Sequence, residues 1–232
     1  KGHQIVSDLA PQIQTQVQSP TPPQPEVIPG PYPIQFKGHA WAAVLLKLIG
    51  WKVDFQGLPG LQGIAIVYPH TSNWDFLTAM LCKWTMGLPL HFWCKDSLVK
   101  VPLFGRWLKW IGGVPIDRSS PRGVVGAMTE VFAEHQRAGT FLWLGLSPEG
   151  TRKRTDGWRS GFYQLAMATQ LPLAIVRFDY GQKVLKFECF VKLTGNVDVD
   201  YAYLQKMYEG VEGFHIDNAA PIKPLPARDV QK

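Results

Sequence analysis

Six apolar runs of strand length, near residues 64–68, 90–94, 113–116, 140–145, 173–179 and 183–193, alternate with segments of helical spacing near 74–86, 122–137, 160–169 and 201–210. That interleaving restricts the chain to the α/β class, because a parallel strand pair needs a crossover and helical crossovers pack on the sheet they bridge. In the helix expected over 122–137, Val124, Val125, Met128, Val131, Phe132 and His135 share one face, with His135 at the core edge. In the last strand, Leu185, Phe187, Cys189, Val191 and Leu193 alternate with Lys186, Glu188 and Lys192, the pattern of a half-buried strand. A chain of 232 residues is long enough for a complete core. The expected fold is therefore a single α/β domain with a mixed, largely parallel sheet flanked by helices, preceded by a short apolar interfacial helix.

Composition sets the boundaries around that domain. Residues 1–36 are rich in Pro and Gln, carry only Lys1, Asp8 and Glu26 as charges, and read as a disordered tail. Residues 37–51 read as an apolar membrane-interface helix. Its core, Ala40 to Trp51, is broken only by Lys47 and bracketed by Trp41 and Trp51. At 1.5 Å per residue that core reaches about 18 Å, short of the roughly 30 Å hydrocarbon layer, so it lies in the interface or packs on the domain. Residues 103–111 mix aromatic and aliphatic groups with Arg106 and Lys109, which suits headgroups or a core-packing helix with snorkelling cations. The domain is expected over 52–215, with a C-terminal tail at 216–232.

A formal charge of +6 implies a polyanionic partner. Nine tryptophans among apolar neighbours, with no arginine-rich recognition stretch, favour a membrane or phosphorylated lipid over nucleic acid. Cys82, Cys94 and Cys189 are not closely spaced and cannot all pair, which argues against a disulfide framework or structural zinc and for a cytosol-facing location.

A histidine followed five residues later by aspartate occurs three times: His3 to Asp8, His70 to Asp75 and His91 to Asp96. The first lies in the tail. His91 and Asp96, at the two ends of an extended run, would stand about 16 Å apart. Only His70-Thr-Ser-Asn-Trp-Asp75 bridges a strand and a helix, with N-cap candidates Thr71, Ser72 and Asn73 before Phe76, Leu77, Met80, Leu81 and Trp84 at helical spacing. A turn there folds the carboxylate back on the imidazole, the arrangement of a general base for a hydroxyl. Gly112 to Arg118 and Ser147-Pro-Glu-Gly-Thr-Arg152 place two more arginines beyond apolar strands, where α/β sheets hold ligands and where guanidinium matches phosphate. Gly145-Leu-Ser-Pro-Glu-Gly150 is a poor nucleophile elbow, since its second glycine falls one residue late and Pro148 lacks the amide an oxyanion hole needs.

In order and spacing, His70 to Asp75, Gly112 to Arg118 and Pro148-Glu-Gly-Thr-Arg152 resemble the lysophosphatidate acyltransferase family over residues 64 to about 178. Lys95 looks like the lysine often found between the first two blocks. Ser147, and the lone proline in Leu171-Pro-Leu-Ala-Ile-Val176, depart from the family pattern and bear on acceptor and acyl selectivity. The resemblance implies that His70 deprotonates an acceptor hydroxyl, with Asp75 orienting the ring, for attack on the thioester of acyl-CoA or acyl carrier protein. Arg118 and Arg152 would hold a lysophospholipid phosphate, Glu149, Gly150 and Thr151 would shape the acceptor pocket, and no metal or redox cofactor is called for. Backbone amides near 71–75 are candidate oxyanion donors. The expected setting is peripheral or monotopic attachment to an anionic membrane surface on its cytoplasmic face.

Overall fold

The computed structural model describes residues 23–116 and 123–225. Along the chain run β1 (Glu26–Val27), α1 (Ala40–Leu48), β2 (Lys52–Asp54), β3 (Gln62–Tyr68), α2 (Trp74–Met86), β4 (His91–Lys95), α3 (Asp96–Val99) and α4 (Phe104–Trp110). They are followed by β5 (Gly113–Ile116), α5 (Gly123–Ala138), β6 (Leu142–Leu146), α6 (Gly161–Thr169), β7 (Leu173–Asp179), β8 (Val184–Lys192), α7 (Val197–Met207) and a 3-10 turn at Ile216–Asn218. One sheet carries the order β1, β8, β7, β3, β6, β4, β5, with β2 pairing separately to β8. Strands β7, β3, β6, β4 and β5 run parallel, β8 is antiparallel to β7, and β1 is antiparallel to β8. The sheet is thus mixed and mostly parallel, with helices on both faces.

The central strands are apolar through their middles, on both faces, because both faces are covered. Ile64 and Ile66 of β3, Leu142 and Leu144 of β6, and Leu173 and Ile175 of β7 point to one layer, where they meet α5, α6 and α7 around Phe132, Phe162 and Leu204. The intervening Ala65, Trp143, Ala174 and Val176 point the other way, to Leu46 of α1 and Cys82 and Met86 of α2. Helix α2 ends at Gly87, whose φ of 68° is the left-handed closure that glycine adopts without penalty.

Several sequence expectations change. Residues 23–36 are not a free tail in the described chain: β1 pairs with β8, Ile34 bridges Leu58, and Tyr32 sets its ring edge-on to Phe190 at 4.7 Å. Apolar residues spaced through a Pro-rich stretch have no local period, and only the sheet edge supplies a place for them. Trp51 is buried beside Phe178 and Tyr180 and so belongs to the core instead of bracketing an interfacial helix. The alternation read in β8 breaks at a bulge opposite Ile175 and Val176. Leu185 and Phe187 face the α1 and α2 side, whereas Cys189, Val191 and Leu193 face α7. Helix α7 begins at Val197, four residues earlier than expected, because Asn196 caps it by accepting from the amides of Asp198 and Val199. The segment 216–225 is likewise tied down, since the Trp158 amide donates to the Lys223 carbonyl and the Leu225 amide to the Trp158 carbonyl, on either side of Pro224.

Candidate active site

Parallel strands β3, β6 and β7 end on the same edge of the sheet and are adjacent, so the residues that follow them converge. After β3 the chain passes Pro69 and reaches His70. After β6 it turns through Ser147 to Gly150, where the Gly150 amide donates to the Ser147 carbonyl at 3.2 Å. Gly150 sits at φ 65°, and a Cβ there would also meet the Arg159 side chain at 2.6 Å, so the turn specifies glycine. After β7 the chain reaches Tyr180.

The carboxylate of Asp75, in the first turn of α2, is 2% exposed. Its Oδ2 accepts from the His70 ring Nδ1 at 3.0 Å and from the amides of Thr71 and Ser72 at 2.7 and 2.8 Å, while Oδ1 accepts from the Tyr180 hydroxyl at 2.8 Å. Burial pushes the Asp75 carboxyl up, but donation from His70, Ser72 and Tyr180 outweighs it and holds its pKa below the ordinary carboxylate value. An ionised Asp75 fixes the hydrogen of His70 on Nδ1 and leaves the lone pair on Nε2. The His70 side chain is 32% exposed, so the ring is held at one edge and open to a substrate at the other.

Two expectations about this turn are corrected. The amides of Thr71 and Ser72 are committed to Asp75, and that of Trp74 donates to the Ser72 hydroxyl at 3.1 Å, so these three are not the oxyanion donors. Glu149 opens onto no cavity among the described residues: it is 1% exposed, with Oε2 accepting from the His70 amide at 2.6 Å and Oε1 from the Ala220 amide at 3.0 Å. It is a strut joining the β3 turn, the β6 turn and the C-terminal segment. Ser147 directs its hydroxyl to this same carboxylate at 3.5 Å.

Burial pushes the Glu149 carboxyl up to about 7, against the pull of the two amides. Between the ordinary 4.5 and about 7 the folded state keeps a proton that the unfolded chain has lost, so this group makes stability fall as pH rises through that window. Glu149→Gln is expected to remove that fall. Urea midpoints of wild type and variant measured from pH 4 to 8 test it, and parallel curves would sink the assignment.

Thr151 and Arg152 line a cavity of about 500 Å³ beside the His70 turn. Thr71, Ser72 and Trp74 form its α2 side, with Lys153, Phe214, His215 and Asn218 completing it. Gly150 is the hinge of the turn that aims Arg152. Arg118 lies outside the described residues, as does the side chain of Lys95, whose backbone ends β4 on the same sheet edge. Among the described residues no group of His, Cys, Asp or Glu is arranged to hold a metal ion. The sequence reading missed Tyr180, although a polar aromatic just past an apolar strand end was the available signal. It missed His215 and Asn218 because nothing periodic marks the loop that carries them.

A family model described as Acyltransferase matches residues 52–178. The chain is 27% identical over 140 residues to a 1-acyl-sn-glycerol-3-phosphate acyltransferase of Cocos nucifera, covering 59% of this chain and 44% of that protein. It is 28% identical over 144 residues to the enzyme of that name from Limnanthes douglasii, covering 59% and 48%. It is 24% identical over 142 residues to the chloroplastic BAT2 enzyme of Brassica napus, covering 60% and 40%. The chain thus spans less than half the length of these curated relatives. The crystal structure of the 1-acyl-sn-glycerophosphate acyltransferase PlsC from Thermotoga maritima aligns with a TM-score of 0.45 at 18% identity, covering 71% of this chain and 72% of that one.

Proposed function

We propose, from the premise that this chain belongs to the acyltransferase family, that it transfers a fatty acyl chain from acyl-CoA or acyl carrier protein to the hydroxyl of a lysophospholipid. Lysophosphatidic acid is the acceptor best matched, and phosphatidic acid the product. The observation that carries the reading is a histidine locked by a buried carboxylate beside a polar cavity that presents Arg152 and Lys153. The names of the relatives support the acceptor class.

In this scheme Nε2 of His70 takes the hydroxyl proton as the oxygen attacks the thioester carbonyl. The tetrahedral intermediate collapses, the thiolate leaves, and the imidazolium returns the proton to it. No acyl-enzyme forms. Asp75 holds the ring and stabilises its charged form, while Arg152, with Arg118 and Lys95 proposed for the same task, neutralises phosphate charge. Thiol release from palmitoyl-CoA on vesicles, with and without lysophosphatidic acid and with the product checked by mass, tests the reading. Release that does not depend on acceptor, or that depends on glycerol-3-phosphate or lyso-ornithine lipid instead, would overturn the acceptor assignment.

The chemistry belongs at a membrane surface. Helices α1 and α4 flank α2, and each keeps a large apolar face outward: Leu48 is 76% exposed on α1, and Leu103 and Trp110 are 79% and 78% exposed around α4. Lys47, Arg106 and Lys109 are exposed beside them. Apolar groups ringed by cations fit an anionic lipid interface on the cytoplasmic leaflet. Among the described residues no helix is long and apolar enough to cross a membrane. Leu48→Glu with Trp110→Glu is expected to weaken binding to anionic vesicles at least about tenfold without moving the thermal midpoint, since each side chain forfeits ~1.5–3 kcal/mol of apolar burial in lipid. Vesicle flotation measures it, and unchanged flotation would place the contact elsewhere.

A further inference from the structure

The family match ends at residue 178, yet one wall of the cavity comes from beyond it. Residues 212–220 lie as a strap across the carboxyl ends of β3, β6 and β7. The Tyr180 amide donates to the Glu212 carbonyl at 2.8 Å, the His215 amide to the Thr71 hydroxyl at 3.1 Å, and the Ala220 amide to Glu149 at 3.0 Å. Arg154 clamps the far end by donating to the Asp217 and Ala219 carbonyls at 3.1 and 3.2 Å. At Gly213 a Cβ would meet both γ atoms of Thr71 at 2.9 Å, so the strap lies against the His70 turn too closely for a larger residue without a shift.

Its side chains are aimed by the same supports. The Phe214 ring stands edge-on to Tyr180 at 5.3 Å, and the His215 ring stands edge-on to Phe214 at 4.7 Å. Because Tyr180 also donates to Asp75, one series of contacts joins the carboxylate behind His70 to a wall of the cavity. His215 and Asn218 line the cavity together with Arg152 and Lys153. An imidazole and a carboxamide supply N–H donors, and guanidinium and ammonium supply charge. A cavity of about 500 Å³ bounded this way suits a small multiply charged oxyanion carried on a polyol.

We propose that the strap is the headgroup wall of the acceptor site, with His215 and Asn218 hydrogen-bonding the phosphomonoester that Arg152 and Lys153 neutralise. This rests on the reading of the acceptor as a phosphorylated glycerolipid. The strap thereby sets headgroup selectivity, while His70 and Asp75 set the chemistry.

Titrating the full chain with glycerol 3-phosphate, followed by NMR with glycerol as the uncharged control, tests the assignment directly. Wild type is expected to bind the phosphate ester and not glycerol. His215→Ala with Asn218→Ala should weaken that binding at least about fivefold, and His215→Gln alone, which keeps a donor, should lose less. In turnover the double variant should raise KM for lysophosphatidic acid by a similar factor, leaving kcat and the KM for palmitoyl-CoA unchanged. Both side chains reach solvent, and an unchanged thermal midpoint excludes a merely structural effect. Binding that is equal in variant and wild type, or absent in wild type, overturns the proposal. Phosphate binding lost in the variant, in a wild type that acylates no lysophosphatidic acid, would leave the wall assignment standing and defeat the proposed acceptor.

Discussion

His70→Ala is expected to lower kcat at least about 10³-fold while leaving the fold, vesicle binding and the KM for donor in place. General-base catalysis contributes roughly 10²- to 10⁴-fold, and the upper part of that range applies here because the acceptor is a neutral alcohol. The loss of structure is small because the side chain is one-third exposed and its backbone amide, not its ring, anchors the turn to Glu149. Removing the imidazole also frees one of the contacts on Asp75 Oδ2, but the two amides and the Tyr180 hydroxyl remain. Single-turnover acyl transfer in wild type and variant, with circular dichroism alongside, gives the result. More than about a tenth of wild-type activity in the variant would rule out His70 as the base.

Asp75→Asn is the second large effect, and it separates charge from geometry. The asparagine oxygen can take the Oδ2 position, still accepting from Thr71, Ser72 and His70, while its amide faces the Tyr180 hydroxyl, which can turn to accept. The fold is kept, at a cost of ~1–3 kcal/mol, because hydrogen bonds to a charged group are exchanged for neutral ones. The rate is expected to fall roughly 10²- to 10³-fold, since the neutral side chain no longer stabilises the imidazolium formed as the hydroxyl proton moves. Asp75→Ala leaves buried donors without partners and should destabilise more than the asparagine. Because the folded pKa of Asp75 is lowered, its contribution is present above the ordinary 3.8 and is lost as pH falls through the folded value. The stability gap between wild type and Asp75→Asn should therefore close in acid. A gap that stays constant down to pH 2 would mean that the carboxylate charge contributes nothing.

Opposite shifts on two nearby carboxyls show how position decides character. Asp75 and Glu149 are both almost fully buried, and both receive backbone amides at the same turn. Asp75 collects four donors, including an imidazole and a phenol, and is held ionised. Glu149 has fewer, and desolvation prevails. From the sequence Asp75 was legible as the partner of His70, whereas Glu149 was expected to shape the acceptor pocket. Their separate roles, one behind the base and one as a strut, depend on which donors the fold brings to each.

Most elements were legible because they obey local rules. The apolar runs of β3, β6 and β7 and the period of α2 and α5 lie within two or three residues of where the side-chain pattern put them. Departures came where stability is supplied from a distance. Residues 26–36 have no period of their own and are held by β8 and the core, and the bulge in β8 is set by its partner strand.

The sequence by itself determined the α/β class, the strand that delivers His70 and the turn that folds Asp75 onto it. Those depend on contacts within a few residues, where dihedral preference and spacing leave few alternatives. Only the tertiary structure decided that Tyr180 completes the carboxylate's partners, that Glu149 is spent on backbone amides, and that His215 and Asn218 close the cavity. Those pairings join residues 71 to 144 positions apart, and what brings them together is the parallel sheet: β7, β3 and β6 end side by side because their crossovers pack on its faces.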